Sequence, residues 1–332
     1  MPRMDAQIQS PDRRTMILAY GPAKMRKTTW ALQAAEAGFN VIMCDFDHSY
    51  HVASSLSPEA QARIYHLDMR LPEGSVQNPL GYHLMKSAEG NRLWANENDR
   101  QFVAVSKVEP EREYFQFDFT KFTANDIIVI DSWTAFTTHL TAAMNPVMDA
   151  TQVSKLEWDD IAKMRHAMDL FLLNLTKCKA HVIVTGHSEQ NAKRKKDVAA
   201  NEKPEIAIES IRTQPMSVSR PHAETLAKNF TDVLIFSKPS ASMGVYLSTQ
   251  GSDDVDAGSR MHPPFKGKFD EWPFTKFVSE ANLASAKQNT NFSSEGILFS
   301  TGEEISAKRA ALKGAADVKV GSKPSILNRK KV

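Results

Sequence analysis

The chain has 332 residues, of which 42% are apolar and 24% charged, with a formal net charge of +2. That size and balance suit a soluble globular protein of one large domain or two smaller ones. Near-neutral charge restricts any affinity for nucleic acid to local patches, and no apolar run is long enough to span a membrane.

Residues 1–14 are polar and lack the apolar centre of a signal peptide, so they read as a flexible lead-in. Cys44 and Cys178 lie in apolar segments without metal-ligand spacing, which suits reduced core cysteines of a cytoplasmic protein. Met16-Ile17-Leu18-Ala19 predicts a buried strand, and Trp30 to Ala37 predicts a helix closed by Gly38. Between them lies Tyr20-Gly21-Pro22-Ala23-Lys24-Met25-Arg26-Lys27-Thr28-Thr29. A strand, a tight loop, Lys-Thr and a helix form the setting of a phosphate-binding loop. Loop amides point at phosphate oxygens, the lysine adds positive charge, and the next hydroxyl can ligate magnesium. The usual pattern is G-x-x-x-x-G-K-[ST]. Gly21, Lys27 and Thr28 fit it, whereas Arg26 stands at the second glycine. An arginine there either disables the loop or turns outward and leaves it usable. A plain Lys/Arg-rich turn opening an amphipathic helix is the bland alternative.

Asn40-Val41-Ile42-Met43-Cys44-Asp45-Phe46-Asp47-His48 predicts a second buried strand with carboxylates at its C-terminal edge, where open α/β sheets place ligands. Ordinary turn acids would look the same. His48 and His51 lack further ligands at a spacing suited to a metal. Residues 63–125 have no clean period. Arg63 to Leu67 suggests a short strand, Leu71-Pro72-Glu73-Gly74 a turn, and Asn78 to Asp118 an elaboration with one helix. Asp126-Ile127-Ile128-Val129-Ile130-Asp131-Ser132 reads as a fully buried parallel strand, with Asp131 where a Walker B carboxylate would hold magnesium.

Ser154 to Lys179 predicts one long amphipathic helix, with Ile161, Met164, Met168, Phe171, Leu172 and Leu175 on its apolar face. His181 to His187 reads as another buried strand with a polar tip. Ser188 to His222 reads as a long mobile loop carrying Lys193-Arg194-Lys195-Lys196, which is either a functional surface or a solvated run. Asp232–Phe236 and Gly244–Ser248 return to strand character, as a pair at the far side of the sheet. Arg260, Lys266 and Lys268 follow in a Pro/Gly-rich segment. Residues 281–332 are rich in Ser, Asn, Ala, Gly and Lys, and read as a basic, disordered tail containing Lys323, Arg329, Lys330 and Lys331.

The order of these edge signals resembles that of the RecA-like P-loop ATPases: the loop, Asp45-x-Asp47-His48, Asp131-Ser132, then Thr185-Gly186-His187. Among them the chain looks most like the phage-encoded members linked to single-strand annealing and recombination. The resemblance spans residues 15–280 and implies an α/β core with a mostly parallel central sheet flanked by helices. It further implies ATP and Mg2+ as ligands. Lys27 and the loop from Gly21 to Thr29 would hold phosphates, and Thr28 and Asp131 would hold the metal. Asp47 would polarise the attacking water, and His187 would sense the γ-phosphate. The basic cluster Lys193, Arg194, Lys195 and Lys196 would contact single-stranded DNA. A neighbouring subunit of a ring or filament would complete the site, with Arg260 or Lys268 as the residue supplied in trans. Other recombination or replication proteins follow as partners, in a cytoplasmic setting. Two other readings stay open: a nucleotide-binding scaffold without turnover, and a helicase motor.

Overall fold

A computed structural model describes residues 14–70, 80–88, 94–96, 101–103, 108–144, 158–194, 208–240, 242–252, 255–259, 264–280 and 291–320. Taken in chain order, β1 is Met16–Gly21 and α1 is Lys27–Leu32. Next come β2 (Asn40–Asp45), a 3-10 turn at Tyr50–Ser55, α2 (Pro58–Gln61) and β3 (Ile64–Asp68). The following segment holds α3 (Leu80–Ala88), β4 (Trp94–Asn96), β5 (Gln101–Val103) and β6 (Glu113–Phe117). Then come β7 (Asp126–Asp131), α4 (Trp133–Met144), α5 (Trp158–Leu175), β8 (His181–Arg194) and β9 (Ile208–Pro215). After α6 (Arg220–Leu226) lie β10 (Asp232–Ser237), β11 (Tyr246–Ser248), β12 (Gly258–Ser259) and β13 (Lys266–Lys268). The last elements are α7 (Phe274–Glu280), β14 (Ile297–Thr301) and α8 (Gly302–Val320).

The large sheet has the strand order β13-β11-β10-β1-β8-β7-β2-β3, with β12 and β9 paired off this path. From β10 through β3 every neighbouring pair is parallel. β11, β12 and β13 close the other edge antiparallel. Parallel strands buried on both faces are apolar throughout rather than alternating, and β1, β2 and β7 are buried at all six positions. Alternate residues of β1 serve opposite faces. Leu18 and Tyr20 join a core with Trp133 and Phe136 of α4 and Phe171 of α5. Ile17 and Ala19 join one with Trp30 of α1 and Phe274 and Phe277 of α7. Helices therefore cover both faces, as expected of a mostly parallel α/β sheet.

Several expectations change. The first helix is regular only to Leu32, after which tight turns carry the chain to Gly38, whose φ is +91°. The helix expected from Ser154 is described from Trp158, with Met164, Met168, Phe171, Leu172 and Leu175 buried. Residues 188–222 are not one loop. β8 runs on to Arg194 and pairs antiparallel with β9, from Ser188↔Pro215 to Arg194↔Ile208, and α6 follows. The extension has no apolar run, so only its cross-strand partner reveals it. The elaboration at 78–118 supplies α3 and three strands of a second sheet, ordered β14-β6-β4-β5. That sheet draws in residues 297–301, pairing Ile297 with Phe117, so the segment expected as a disordered tail contains a paired strand and a helix. Its polar composition hides a strand whose partner lies far back in the chain. The turn at Leu71–Gly74 and the tail cations Lys323, Arg329, Lys330 and Lys331 lie outside the described residues, as do residues 1–13. Among the described residues no helix is long and apolar enough to cross a membrane.

Candidate nucleotide site

The parallel register places the chemistry. Gly21 pairs with His187 across β1 and β8, and Asp45 pairs with Asp131 across β2 and β7. Gly21, Asp45 and Asp131 end their strands, His187 lies midway along β8 level with Gly21, and residues around them line one cavity of about 550 Å³. Its lining includes Lys24 to Thr29, Asp47, Asp131, Thr185 and His187, in the size range of small-molecule sites.

The loop after β1 is fixed by its glycine. A Cβ on Gly21 would lie 2.2 Å from the Phe236 carbonyl oxygen, and its φ is +154°, so only glycine fits. Lys27 is buried, and its Nζ donates to the carbonyls of Gly21 (3.1 Å) and Pro22 (2.7 Å). The ammonium thus spans the base of the loop. Burial lowers its pKa to about 8, opposed by the charges of Asp131 and Asp47. Lys24 and Arg26 both hold the left-handed backbone, at φ 62° and 56°. That conformation is the one a glycine would adopt freely at position 26. Arg26 meets it with its guanidinium directed outward, 5.2 Å from the Phe269 ring centroid and 3.6 Å from Asp270. The arginine therefore spends its charge on Asp270 and Phe269.

Asp131 is buried and collects hydroxyls. Thr28 donates to its Oδ1 and Oδ2 at 3.1 and 3.0 Å, and Ser49 and Thr185 donate as well. Burial pushes its pKa up, Asp47's charge adds to this, and the three hydroxyls oppose it without cancelling it. The Asp131-Ser132 peptide is cis. A hydroxyl and a carboxylate already in contact make an all-oxygen pair, the donor type magnesium selects, so Thr28 and Asp131 fit the metal expected there. Asp47 is exposed at the cavity rim. His187 is half-buried in the cavity wall, its amide donating to Thr134 Oγ1 (3.2 Å) and its carbonyl accepting from Met216 (2.7 Å).

Asp45 plays a different part from Asp47. It is 1% exposed and accepts from the amides of Ser49 and Tyr50 and from His66 Nε2, with the Ser49 hydroxyl oxygen 3.3 Å away. Ser49, Thr185 and His66 were not assigned from sequence. The polar tip of the apolar strand at 181–187 was the available signal for Thr185. For Ser49 and His66 no local signal exists.

Among the DNA-contact residues, Lys193 and Arg194 end β8, where the register shifts against β9. Lys195 and Lys196 lie outside the described residues, as does Arg260. Lys268 is not among the residues lining the cavity; its Nζ lies 4.0 Å from Glu271. No group of three or more potential ligands for a metal held by His, Cys, Asp and Glu alone occurs among the described residues.

No protein-family description matches the chain, and no curated protein matches it. Solved structures that match include a prototypical ATPase from the type III secretion system of pathogenic bacteria, at 8% identity and a TM-score of 0.37. The match covers 68% of this chain and 51% of that one, so the chain spans about half of that ATPase's length. The likeness is too loose to bear on function.

Proposed function

We propose that this chain is a RecA-like ATPase that binds ATP with magnesium at the Gly21–Thr29 loop and acts on single-stranded DNA. One observation carries the nucleotide reading. Lys27 stands at the base of a glycine-anchored loop while its neighbour Thr28 touches Asp131, which comes from a strand about 100 residues later. Phosphates would replace the Gly21 and Pro22 carbonyls as partners of Lys27. Thr28 and Asp131 would hold magnesium, whose chemistry when bound is to neutralise phosphate charge. Asp47, at the rim, would orient the attacking water. The outward course of Arg26 favours a working loop over a scaffold without turnover.

Titration with a fluorescent ATP analogue and magnesium tests the reading. Lys27→Ala should lose binding while keeping the parental fold by circular dichroism. Equal affinity in parent and variant would sink the assignment.

One strand links the cavity to the proposed DNA contact. β8 carries His187 at the cavity and continues without a break to Lys193 and Arg194. A change at His187 would therefore travel along a hydrogen-bonded ribbon. Replacing Lys193, Arg194, Lys195 and Lys196 together by Ala should weaken single-strand binding whatever the base sequence. It should also flatten the salt dependence by a slope of about 0.7 per lost phosphate contact. The C-terminal tail with Lys323, Arg329, Lys330 and Lys331 is the competing locus, and loss of DNA binding only in a chain truncated after residue 320, which keeps β14 and α8, would refute the hairpin. The same proposal includes a ring or filament of identical subunits, with Arg260 or Lys268 offered in trans. Sedimentation with and without the ATP analogue tests assembly.

A further inference from the structure

The geometry points to His66 as the positioning residue that holds the Asp45–Tyr50 turn, and with it Asp47, against the nucleotide cavity. This inference rests on the ATPase reading above, in which Asp47 orients water.

Asp45 ends β2 and closes the turn on itself. The Ser49 amide donates to both of its carboxylate oxygens at 3.0 Å, and the Tyr50 amide donates to Oδ2 at 3.1 Å. Between these anchors the chain rises through Asp47 and His48, the latter at φ 57°. Among the described residues, one side chain from outside the turn hydrogen-bonds Asp45. That is His66 of β3, whose Nε2 lies 3.1 Å from Oδ2. Register explains how it arrives: β3 runs parallel to β2 with His66 beside Met43. Burial alone would raise the Asp45 pKa, but the His66 hydrogen bond and the two turn amides outweigh it and hold the carboxyl below its usual range. An ionised carboxylate only accepts, so Nε2 carries the hydrogen. The Tyr50 ring lies over His66, centroids 4.8 Å apart. His66 is therefore held at both ends of the same turn, by Asp45 at its start and Tyr50 at its end.

The turn also touches the site's buried carboxylate. Ser49 Oγ lies within hydrogen-bond distance of both Asp131 and Asp45, and its single hydrogen serves the nearer carboxylate, Asp131. A shift of the turn would move Asp47 at the rim without removing Lys27, Thr28 or Asp131. Misplacing a reacting group by about 1 Å costs up to about 100-fold in rate while leaving binding groups in place.

The experiment compares steady-state ATP hydrolysis and Mg·ATP binding in the parent, His66→Ala, His66→Gln, Asp47→Asn and the double variant Asp47→Asn/His66→Ala. His66→Ala should lower kcat by about 10-fold or more with KM and Kd unchanged. His66→Gln keeps an N–H donor at similar reach and should recover most of the parental kcat. In the Asp47→Asn background, His66→Ala should cause no further loss, because a residue acting through Asp47 has nothing left to position. A parental kcat in His66→Ala, or the same loss in both backgrounds, would overturn the inference in favour of a merely structural histidine. Asp47→Asn inactive beside an unaffected His66→Ala overturns this inference alone. A parent without hydrolysis, or Asp47→Asn at the parental rate, overturns it together with the catalytic role of Asp47.

Discussion

In the large sheet, β1, β2 and β7 are buried at every position, and each ends in a residue of the candidate site. In the small sheet, β14 is buried only at Ile297 and Ser300, leaving Phe299 53% exposed, and its partner β6 lies about 180 residues earlier. None of the small sheet's strands contributes to the cavity lining. Central parallel strands need both faces covered and so become continuous apolar runs. Their tips are the natural place for chemistry, because polar groups there meet the crevice rather than the core. A strand on an antiparallel edge sheet has neither constraint. The comparison predicts that the large sheet carries both the site and the sharpest sensitivities.

Acid should have the largest effect, and it acts on the large sheet and its helices. His181 opens β8, and His139 lies in α4. Each is buried, and each uses Nδ1 to accept a backbone N–H, from Thr15 at 3.0 Å and from Gly81 at 3.3 Å. Protonation would set a donor against a donor. Burial accordingly lowers both pKa values to about 4, below the unfolded value of about 6.5. The folded chain then binds fewer protons than the unfolded chain across that window. Their contribution is fully present above pH 6.5 and is lost as pH falls towards 4, at about 3 kcal/mol for each histidine. Urea unfolding at pH 7 and pH 4.5 measures it, and an unchanged midpoint would refute the neutral-histidine reading. The strands of the small sheet contain no histidine.

Gly21→Ala comes next. Its new Cβ would meet the Phe236 carbonyl at 2.2 Å, and overpacking of this kind costs roughly 3 kcal/mol. Thermal unfolding should show the loss, and ATP affinity should fall with it because the same residue shapes the loop. A variant as stable and as tight as the parent would mean that β1 and β10 separate easily at their C-terminal ends.

What could be read from the sequence follows the same division. Asp126 to Asp131 announces itself as a buried strand with an acid at its tip, and the loop at 21–29 announces itself by residue spacing. Spacing alone does not separate Asp45 from Asp47, two acids with one residue between them; the resemblance alone puts the water-orienting role on Asp47, and the turn that Asp45 closes shows only in the structure. Ser49 and His66 reach their partners through strand register, which local periodicity does not encode. The β8–β9 hairpin was hidden for a related reason. Ser188-Glu189-Gln190-Asn191 has the composition of a loop, and becomes strand only because residues 212–215 lie beside it.

Ile297→Ala tests the other side of the comparison. Ile297 is 4% exposed and joins the same core as Phe117 and Phe122. Truncating it should cost about 2 kcal/mol, at the low end for such a change because the strand lies at a sheet edge. ATP affinity should not move. A parallel loss of nucleotide binding would show that the small sheet supports the site after all.

Arg26→Gly should have the smallest effect on stability and the most informative one on turnover. A side chain at φ 56° costs about 1–2 kcal/mol relative to glycine. Against that gain stand the Phe269 cation–π contact, worth about 0.5–1 kcal/mol where exposed, and the extra unfolded-state freedom of glycine, about 0.5–1 kcal/mol. The ion pair with Asp270 is exposed on both sides at 3.6 Å and adds little. These contributions nearly cancel, so the unfolding midpoint should stay close to that of the parent. Turnover is expected to rise, because the loop is freed from its outward tether to Phe269 and Asp270 and relaxes around the phosphates. Steady-state hydrolysis at saturating Mg·ATP reads this directly. A variant that binds and turns over like the parent would show that the loop works as built, with the arginine a bystander. A variant that loses ATP binding would show that Arg26 leaves Asp270 for the phosphates when nucleotide arrives, and would make it a ligand rather than a tether.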